Sequence, residues 1–296
     1  MDCPSSLPTL ASGHPLPLPS LQIGGKGAGE GKRAGGMRRG PIERGLDCSR
    51  AGVDIYFLTV DGLGLATVAH SLAAIGQRVV NEKRLTWEEL AQYLRNDWQG
   101  AEYVRLMMKN IARFGSGGSR AAYWAKRLST NYVDMVRATA TPDGWITIPG
   151  LCSHGSIHRY GAGLGATAAD SISHSAEPDP GFMPDGTAAP TAKANAAAMV
   201  QPGWGNAAPL QMDIDKRPLR EQGGIEALQS LIKTHNTVGG TLINLNVMSK
   251  EMLLEAHKDP SKYPDLMVRV TGYSAYFHSL SPVYRQQIVD RILASS

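Results

Sequence analysis

The order of apolar runs, turn residues and helix-start signals in this chain of 296 residues predicts an α/β protein. Three observations carry that expectation. Downstream of about residue 207, β-prone runs alternate with helical periodicity: Leu210 to Asp215, Ile225 to His235, Thr241 to Val247, Lys250 to His257, then Leu266 to Val270. Such alternation builds crossover units around a largely parallel sheet. Upstream lie several helices with strong start signals. The length, finally, supplies a core for one large domain or two ordinary ones.

Charge and cysteine usage narrow the function classes. Net charge is +4, and the first fifty residues hold 7 Lys/Arg against 4 Asp/Glu, so +3 sits there and +1 on the rest. A nearly neutral body argues against nucleic acid as a partner. No apolar run approaches the roughly 18 residues of a membrane-crossing helix. The start, Met1-Asp2-Cys3-Pro4, lacks the charged and apolar regions of a secretory signal. Three cysteines (Cys3, Cys48, Cys152), odd in number and without metal-ligand spacing, suit a reducing cytoplasm.

Taken in order, residues 1–52 read as a disordered tail rich in Pro, Gly and Arg, since Leu16-Pro17-Leu18-Pro19 and Gly24-Gly25-Lys26-Gly27 have no periodicity with which to pack. Residues 53–140 read as a helical scaffold. Val68, Leu72, Ile75 and Val79 recur at helical spacing and predict one apolar face. Thr86-Trp87-Glu88-Glu89 has the form of a capping box, with Leu85 and Leu90 at the staple positions, and starts a helix to about Asp97. A third helix spans roughly 101–112. Gly115-Ser116-Gly117-Gly118 breaks the chain, and Ser119 caps a long helix carrying Trp124, Leu128, Val133 and Val136. Residues 141–296 form the last region. Trp145 to Ile148 reads as a short strand and the rest of 144–206 as long Gly/Ala/Ser loops, of the kind that serve function or stay disordered. At the end, Ser281 as N-cap and Pro282 at the first helical position start a terminal helix.

The most informative stretch is Arg269-Val270-Thr271-Gly272-Tyr273-Ser274-Ala275, one glycine set between β-prone runs. Alone it would mark a bulge or a close backbone approach. Its surroundings point further: Asn244-Leu245-Asn246-Val247, Lys250-Glu251-Met252-Leu253, Asp259-Pro260-Ser261-Lys262-Tyr263-Pro264 and Leu280-Ser281-Pro282 accompany it. Together these resemble the C-terminal domain of the glycyl radical enzymes, the pyruvate formate-lyase superfamily, whose motif reads R-V-x-G-Y-x-A. The likeness is closer to the decarboxylase and lyase branches than to pyruvate formate-lyase itself.

The resemblance implies that this chain is the later part of a barrel built of two half-barrels. It implies that Gly272 is the catalytic residue, storing a radical, and that no other cofactor or metal is bound. An activating enzyme of the radical S-adenosylmethionine type is the implied partner, with a cysteine-bearing chain or a second copy as a further one. Glycine suits the role because a flattened Cα radical leaves no room for a Cβ. Gly165-Ala166-Thr167-Ala168 and Ala189-Pro190-Thr191-Ala192 match two ends of a family loop whose D-G-R portion is missing here, and residues 1–52 carry nothing that resembles the family.

The family's second indispensable residue is a cysteine, usually followed two positions on by glutamate. Cys3, Cys48 and Cys152 are followed instead by Ser5, Arg50 and His154. The expectation is therefore a C-terminal portion that stores a radical for a cysteine absent from this chain. The alternatives are a spare-part subunit that restores the radical site of an oxygen-damaged partner, and an inactive truncated product. Cys152, His154 and His158 lack helical context and a complete ligand set for zinc. Gly161 to Ala166 lacks the strand and ribose acid of a dinucleotide loop. Trp87, Trp98, Trp124 and Trp204 read as core or interface.

Overall fold

The computed structural model describes residues 39–47, 52–54, 57–115, 117–141, 144–151, 189–203, 208–269 and 274–294. A short helix α1 (Arg39–Arg44) falls inside the stretch that composition marks as unstructured. Strand β1 (Phe57–Asp61) follows, then α2 (Leu65–Ile75), which runs on as one wider π-helical segment to Asn81. Next come α3 (Trp87–Arg95), α4 (Glu102–Lys109), α5 (Arg120–Ala138) and β2 (Ile146–Gly150). Beyond lie α6 (Ala189–Met199), β3 (Leu210–Asp215), α7 (Lys216–Arg220), α8 (Gly224–Thr237) and β4 (Ile243–Met248). The chain closes with α9 (Lys250–Lys258), β5 (Met267–Arg269), β6 (Ser274–Tyr276) and α10 (Pro282–Ala294).

The α/β expectation holds, and among the described residues the sheets are small. Strands β1 and β2 pair in parallel, as do β3 and β4, each pair joined through helices; β5 and β6 form an antiparallel hairpin. The predicted caps are present. Thr86 accepts from the Glu89 backbone N–H while Glu89 reaches back to the Thr86 N–H, and Ser119 Oγ accepts from the Ala122 N–H.

Two expectations are corrected. In α2 the fully buried face is Ala66, Ala69 and Ala73, packed on Ala121, Ala122 and Ala125 of α5, while Val68, Leu72 and Ile75 are only half-buried. Alanine faces let two helix backbones approach closely, so close packing rather than side-chain size selects the buried stripe. The region 144–206 is not all loop, because Ala189–Met199 is helical. Ala196 belongs to the cluster around α2 and α5, whereas Ala194 and Ala197 belong to the cluster under β3. A helix buried on two sides shows no amphipathic period in its sequence.

Polar ties lock α5 to the first sheet. Tyr132 Oη donates to the Val60 carbonyl at 2.6 Å and Thr147 Oγ1 to the Val136 carbonyl at 2.7 Å. Between α2 and the residues after α4 sits the partly buried imidazole of His70, within 3.1 Å of the Phe114 N–H and 3.0 Å of Arg113 Nη1. A neutral imidazole accepts at one nitrogen only, and its protonated form accepts at neither. Burial first, and the nearby Arg113 charge second, push its pKa down to about 3.

Candidate functional site

The parallel pair β3–β4 has two unlike faces, because side chains alternate along a strand. Leu210, Met212, Ile214, Ile243 and Leu245 point to one side and pack with residues of α6 and α8. Gln211, Asp213, Asn244 and Asn246 occupy the other, with Gln211 opposite Asn244 and Asp213 opposite Asn246. Gln211, Asp213 and Asn244 are buried, so this is an enclosed polar surface rather than a wet one.

The β5–β6 hairpin is attached on that polar side. Its own ladder pairs Met267 with Tyr276, Val268 with Ala275 and Arg269 with Ser274, and the Phe277 N–H donates to the Leu266 carbonyl at 2.7 Å. Val268 and Phe277 point into a cluster with Met248, Leu253, Ala256, Ile288 and Val289, so α9 and α10 hold the hairpin from beneath. Ser249 caps α9 by accepting from the Met252 N–H. Tyr263 hydrogen-bonds the Glu255 carboxylate, which raises the phenol's pKa.

Above this cluster the ties are polar. The Arg269 N–H donates to Asn246 Oδ1 at 2.7 Å, and Asn246 Nδ2 donates back to the Arg269 carbonyl at 2.9 Å and to Asp213 Oδ1 at 2.6 Å. The Arg269 guanidinium lies 3.3 Å from Asn244 Oδ1 and 3.4 Å from Ser274 Oγ. Both ends of Arg269, backbone and guanidinium, are thus held by two asparagines of one strand. At the C-terminal end of β3, Asp215 caps α7 and pairs with Arg217 at 2.8 Å; that hydrogen bond holds its carboxyl below the usual range. Arg217 reaches Glu251 at 2.8 Å and links the sheet to the start of α9.

Of the predicted motif, Arg269 ends β5 and Ala275 sits in β6 opposite Val268. Val270, Gly272 and Tyr273 lie in 270–273, outside the described residues, as do Cys3, Cys48, Cys152, His154, His158, Trp204 and the 161–168 loop. Among the described residues no group of three or more His, Cys, Asp or Glu is placed to hold a metal. Trp98 stacks on Tyr93 at 6.1 Å and Trp124 packs on the α2–α5 core, so both are scaffold; Trp87 is half exposed. Sequence reasoning passed over Asp213, and it used Asn244 and Asn246 for the resemblance without giving either a role at the site. Their signal was the period-two run of polar residues, Gln211-Met212-Asp213-Ile214-Asp215 and Asn244-Leu245-Asn246, inside strands otherwise apolar.

Comparison with known proteins bears on this arrangement. Residues 37–161 match the family Pyruvate formate lyase-like, and residues 182–278, which include the hairpin, match the family Glycine radical. Over these two stretches the chain belongs to the glycyl radical enzyme superfamily. The first match begins at residue 37, so the likeness extends into the stretch read as carrying none.

The chain is 27% identical over 261 residues to the trans-4-hydroxy-L-proline dehydratase of Clostridioides difficile, covering 84% of this chain and 32% of that protein. It is 29% identical over 255 residues to the isethionate sulfite-lyase of Oleidesulfovibrio alaskensis, covering 77% of this chain and 28% of that one. Its fold superposes on the B12-independent glycerol dehydratase of Clostridium butyricum with a TM-score of 0.74 at 26% identity, covering 86% of this chain and 33% of that one. The chain therefore spans about a third of the length of these relatives. Its α/β layers correspond to part of a glycyl radical enzyme barrel, as the resemblance implied.

Proposed function

We propose that this chain is the radical-storing portion of a glycyl radical lyase, with the radical on Gly272. The observation that carries the reading is the Glycine radical match over 182–278, which contains Arg269, Val270, Gly272, Tyr273 and Ala275 in the family's order. Support comes from the frame around 270–273, whose two flanking strands are paired to each other and packed on α9 and α10.

An activating enzyme of the radical S-adenosylmethionine type cleaves that co-substrate to a carbon-centred radical, which takes one hydrogen atom from the Gly272 Cα; the Cα–H bond breaks, a C–H bond forms on the co-substrate fragment, and the unpaired electron stays on the glycine. The unpaired electron is shared with the flanking amide nitrogen and carbonyl, which requires a flat centre that only glycine adopts without a Cβ clash. In the next step a thiol gives its hydrogen atom to that Cα; the S–H bond breaks, the Cα–H bond is restored, and the radical rests on sulfur. That thiol belongs to a cysteine outside this chain, because none of Cys3, Cys48 and Cys152 is followed two residues on by Glu. The reaction class is elimination from a small polar substrate rather than acyl transfer. The long alignments are with dehydratases and a sulfite-lyase, whereas formate acetyltransferase 1 of Escherichia coli aligns over 58 residues, 20% of this chain.

Anaerobic incubation with an activating enzyme tests the assignment. Electron paramagnetic resonance should show a doublet that is lost in Gly272→Ala, and a doublet surviving that substitution would rule the assignment out. Air should cut the activated chain at Gly272, removing its last 24 residues (296 − 272). The activated chain alone should turn over no substrate; turnover abolished by Cys152→Ser would instead make Cys152 the thiyl residue.

A further inference from the structure

Among the described residues no backbone ladder joins β4 to β5, although the two strands lie side by side. What stands in the place of a ladder is one side chain. The Asn246 carboxamide carries a donor and an acceptor with the geometry of a peptide group, and it meets the Arg269 N–H and C=O in a closed pair at 2.7 and 2.9 Å. Its second Nδ2 hydrogen goes to Asp213 Oδ1 at 2.6 Å, on a residue only 2% exposed. A charge-assisted bond of that length fixes which way the amide faces, because the flipped carboxamide would set oxygen against carboxylate and nitrogen against the Arg269 N–H. Asn244 then holds the guanidinium of the same arginine.

We propose that Asn246 is a positioning residue for the radical chemistry at Gly272: its carboxamide, oriented by Asp213, replaces a β-ladder and sets the backbone of Arg269, three residues before the glycine. This inference rests on the reading of Gly272 as the radical site. The packing beneath the hairpin cannot do the same, since Val268 and Phe277 anchor it through non-directional apolar contact, which tolerates a shift along the strand. Hydrogen bonds to the peptide group of Arg269 do not tolerate one.

Two measurements on the full chain test it. In the unactivated protein, hydrogen exchange of the Arg269 amide should run roughly tenfold or more faster in Asn246→Ala, with the β3–β4 ladder amides unchanged. In the activated protein, the same variant should give a several-fold lower doublet yield or a several-fold shorter doublet lifetime than wild type. Asn246→Asp keeps the acceptor for the Arg269 N–H but sets a carboxylate oxygen against both Asp213 and the Arg269 carbonyl, so both readouts should be impaired; adding Asp213→Asn turns the first contact into a hydrogen bond and leaves the second, so protection of the Arg269 amide should recover and the doublet only in part. That rescue keeps the test decisive even if Asn246→Ala fails to fold. Unchanged exchange in a folded Asn246→Ala protein overturns the proposal. So does faster exchange with an unchanged doublet, which would leave Asn246 with a structural role only, and so does a double variant whose Arg269 amide recovers no protection over Asn246→Asp. Absence of a doublet from wild type would instead count against Gly272 as the radical site, while the exchange measurement still reports on the Asn246 contact.

Discussion

In the helical region around α2 and α5, the histidine at position 70 sits between an N–H donor and a guanidinium; in the sheet region, the histidine at position 235 does the reverse. His235 Nδ1 lies 2.9 Å from the Ala194 carbonyl and donates to it, while Nε2, against Gly240, has no hydrogen-bond partner among the described residues. His70 is held as an acceptor and its neutral form is enforced by burial and by Arg113. The difference reflects two ways of filling space. The α2–α5 core is mostly alanine on alanine, with the partly buried His70 beside it. The β3–β4 sheet buries an apolar face on α6 and α8 and a polar face toward the hairpin, where each contact has a direction. The helical region should therefore fail gradually, and the sheet region at single positions.

The sharpest way to break that contrast is at Gly240. It has no room for a side chain, because a Cβ would fall on the His235 ring, which is itself only 1% exposed. Gly240→Ala should destabilise the protein by about 3 kcal/mol, measured by urea unfolding. Combining it with His235→Ala should cost clearly less than the sum of the two, since the second change removes the ring that the first strikes. Additive costs would show that Gly240 matters for its backbone alone.

His70 predicts a smaller effect that depends on pH. Its folded pKa of about 3 lies below the ordinary histidine value of 6.5, so between these values the unfolded chain binds a proton that the folded chain does not. The contribution of His70 to stability is complete above about pH 6.5 and is lost as pH falls toward 3, by of the order of a few kcal/mol. Urea midpoints measured across that window should decline, and His70→Gln should flatten the decline. A decline of equal slope in both proteins would remove His70 as its source.

The smallest effect belongs to a purely local device. Thr86→Ala breaks the capping box of α3 and should cost about 1 kcal/mol. Thr86→Ser should recover most of it. Neither change should alter hydrogen exchange in β3 or β4, since the cap closes on its own helix.

How far each element was legible follows from the same division. The cap at Thr86, the Ser119 start of α5 and the Ser281-Pro282 start of α10 were readable because every partner lies within three or four residues. Strands β3 and β4 were readable within a residue or two of their ends, since an alternation of apolar and polar residues bounded by turn residues needs no distant information. Helix α6 was not, because alanines buried on two sides leave no period to detect. The half-buried status of Val68 and Leu72 was equally hidden: it depends on how closely α5 approaches, and that distance is set by alanines about fifty residues away.

At the candidate site, the sequence by itself determined that one glycine stands in an R-V-x-G-Y-x-A run between β-prone segments, and with it the family. Local residue types and spacing sufficed, because the proposed radical would need a residue without a Cβ. Only the tertiary structure decided what holds that run in place. Asp213, Asn246 and Arg269 are separated by 33 and 23 residues along the chain, and they meet because β3 and β4 pair in register and β5 is laid against their polar face. A hydrogen bond depends on position to within a few tenths of an ångström, and no spacing in a linear sequence specifies that; the packing of the surrounding elements does.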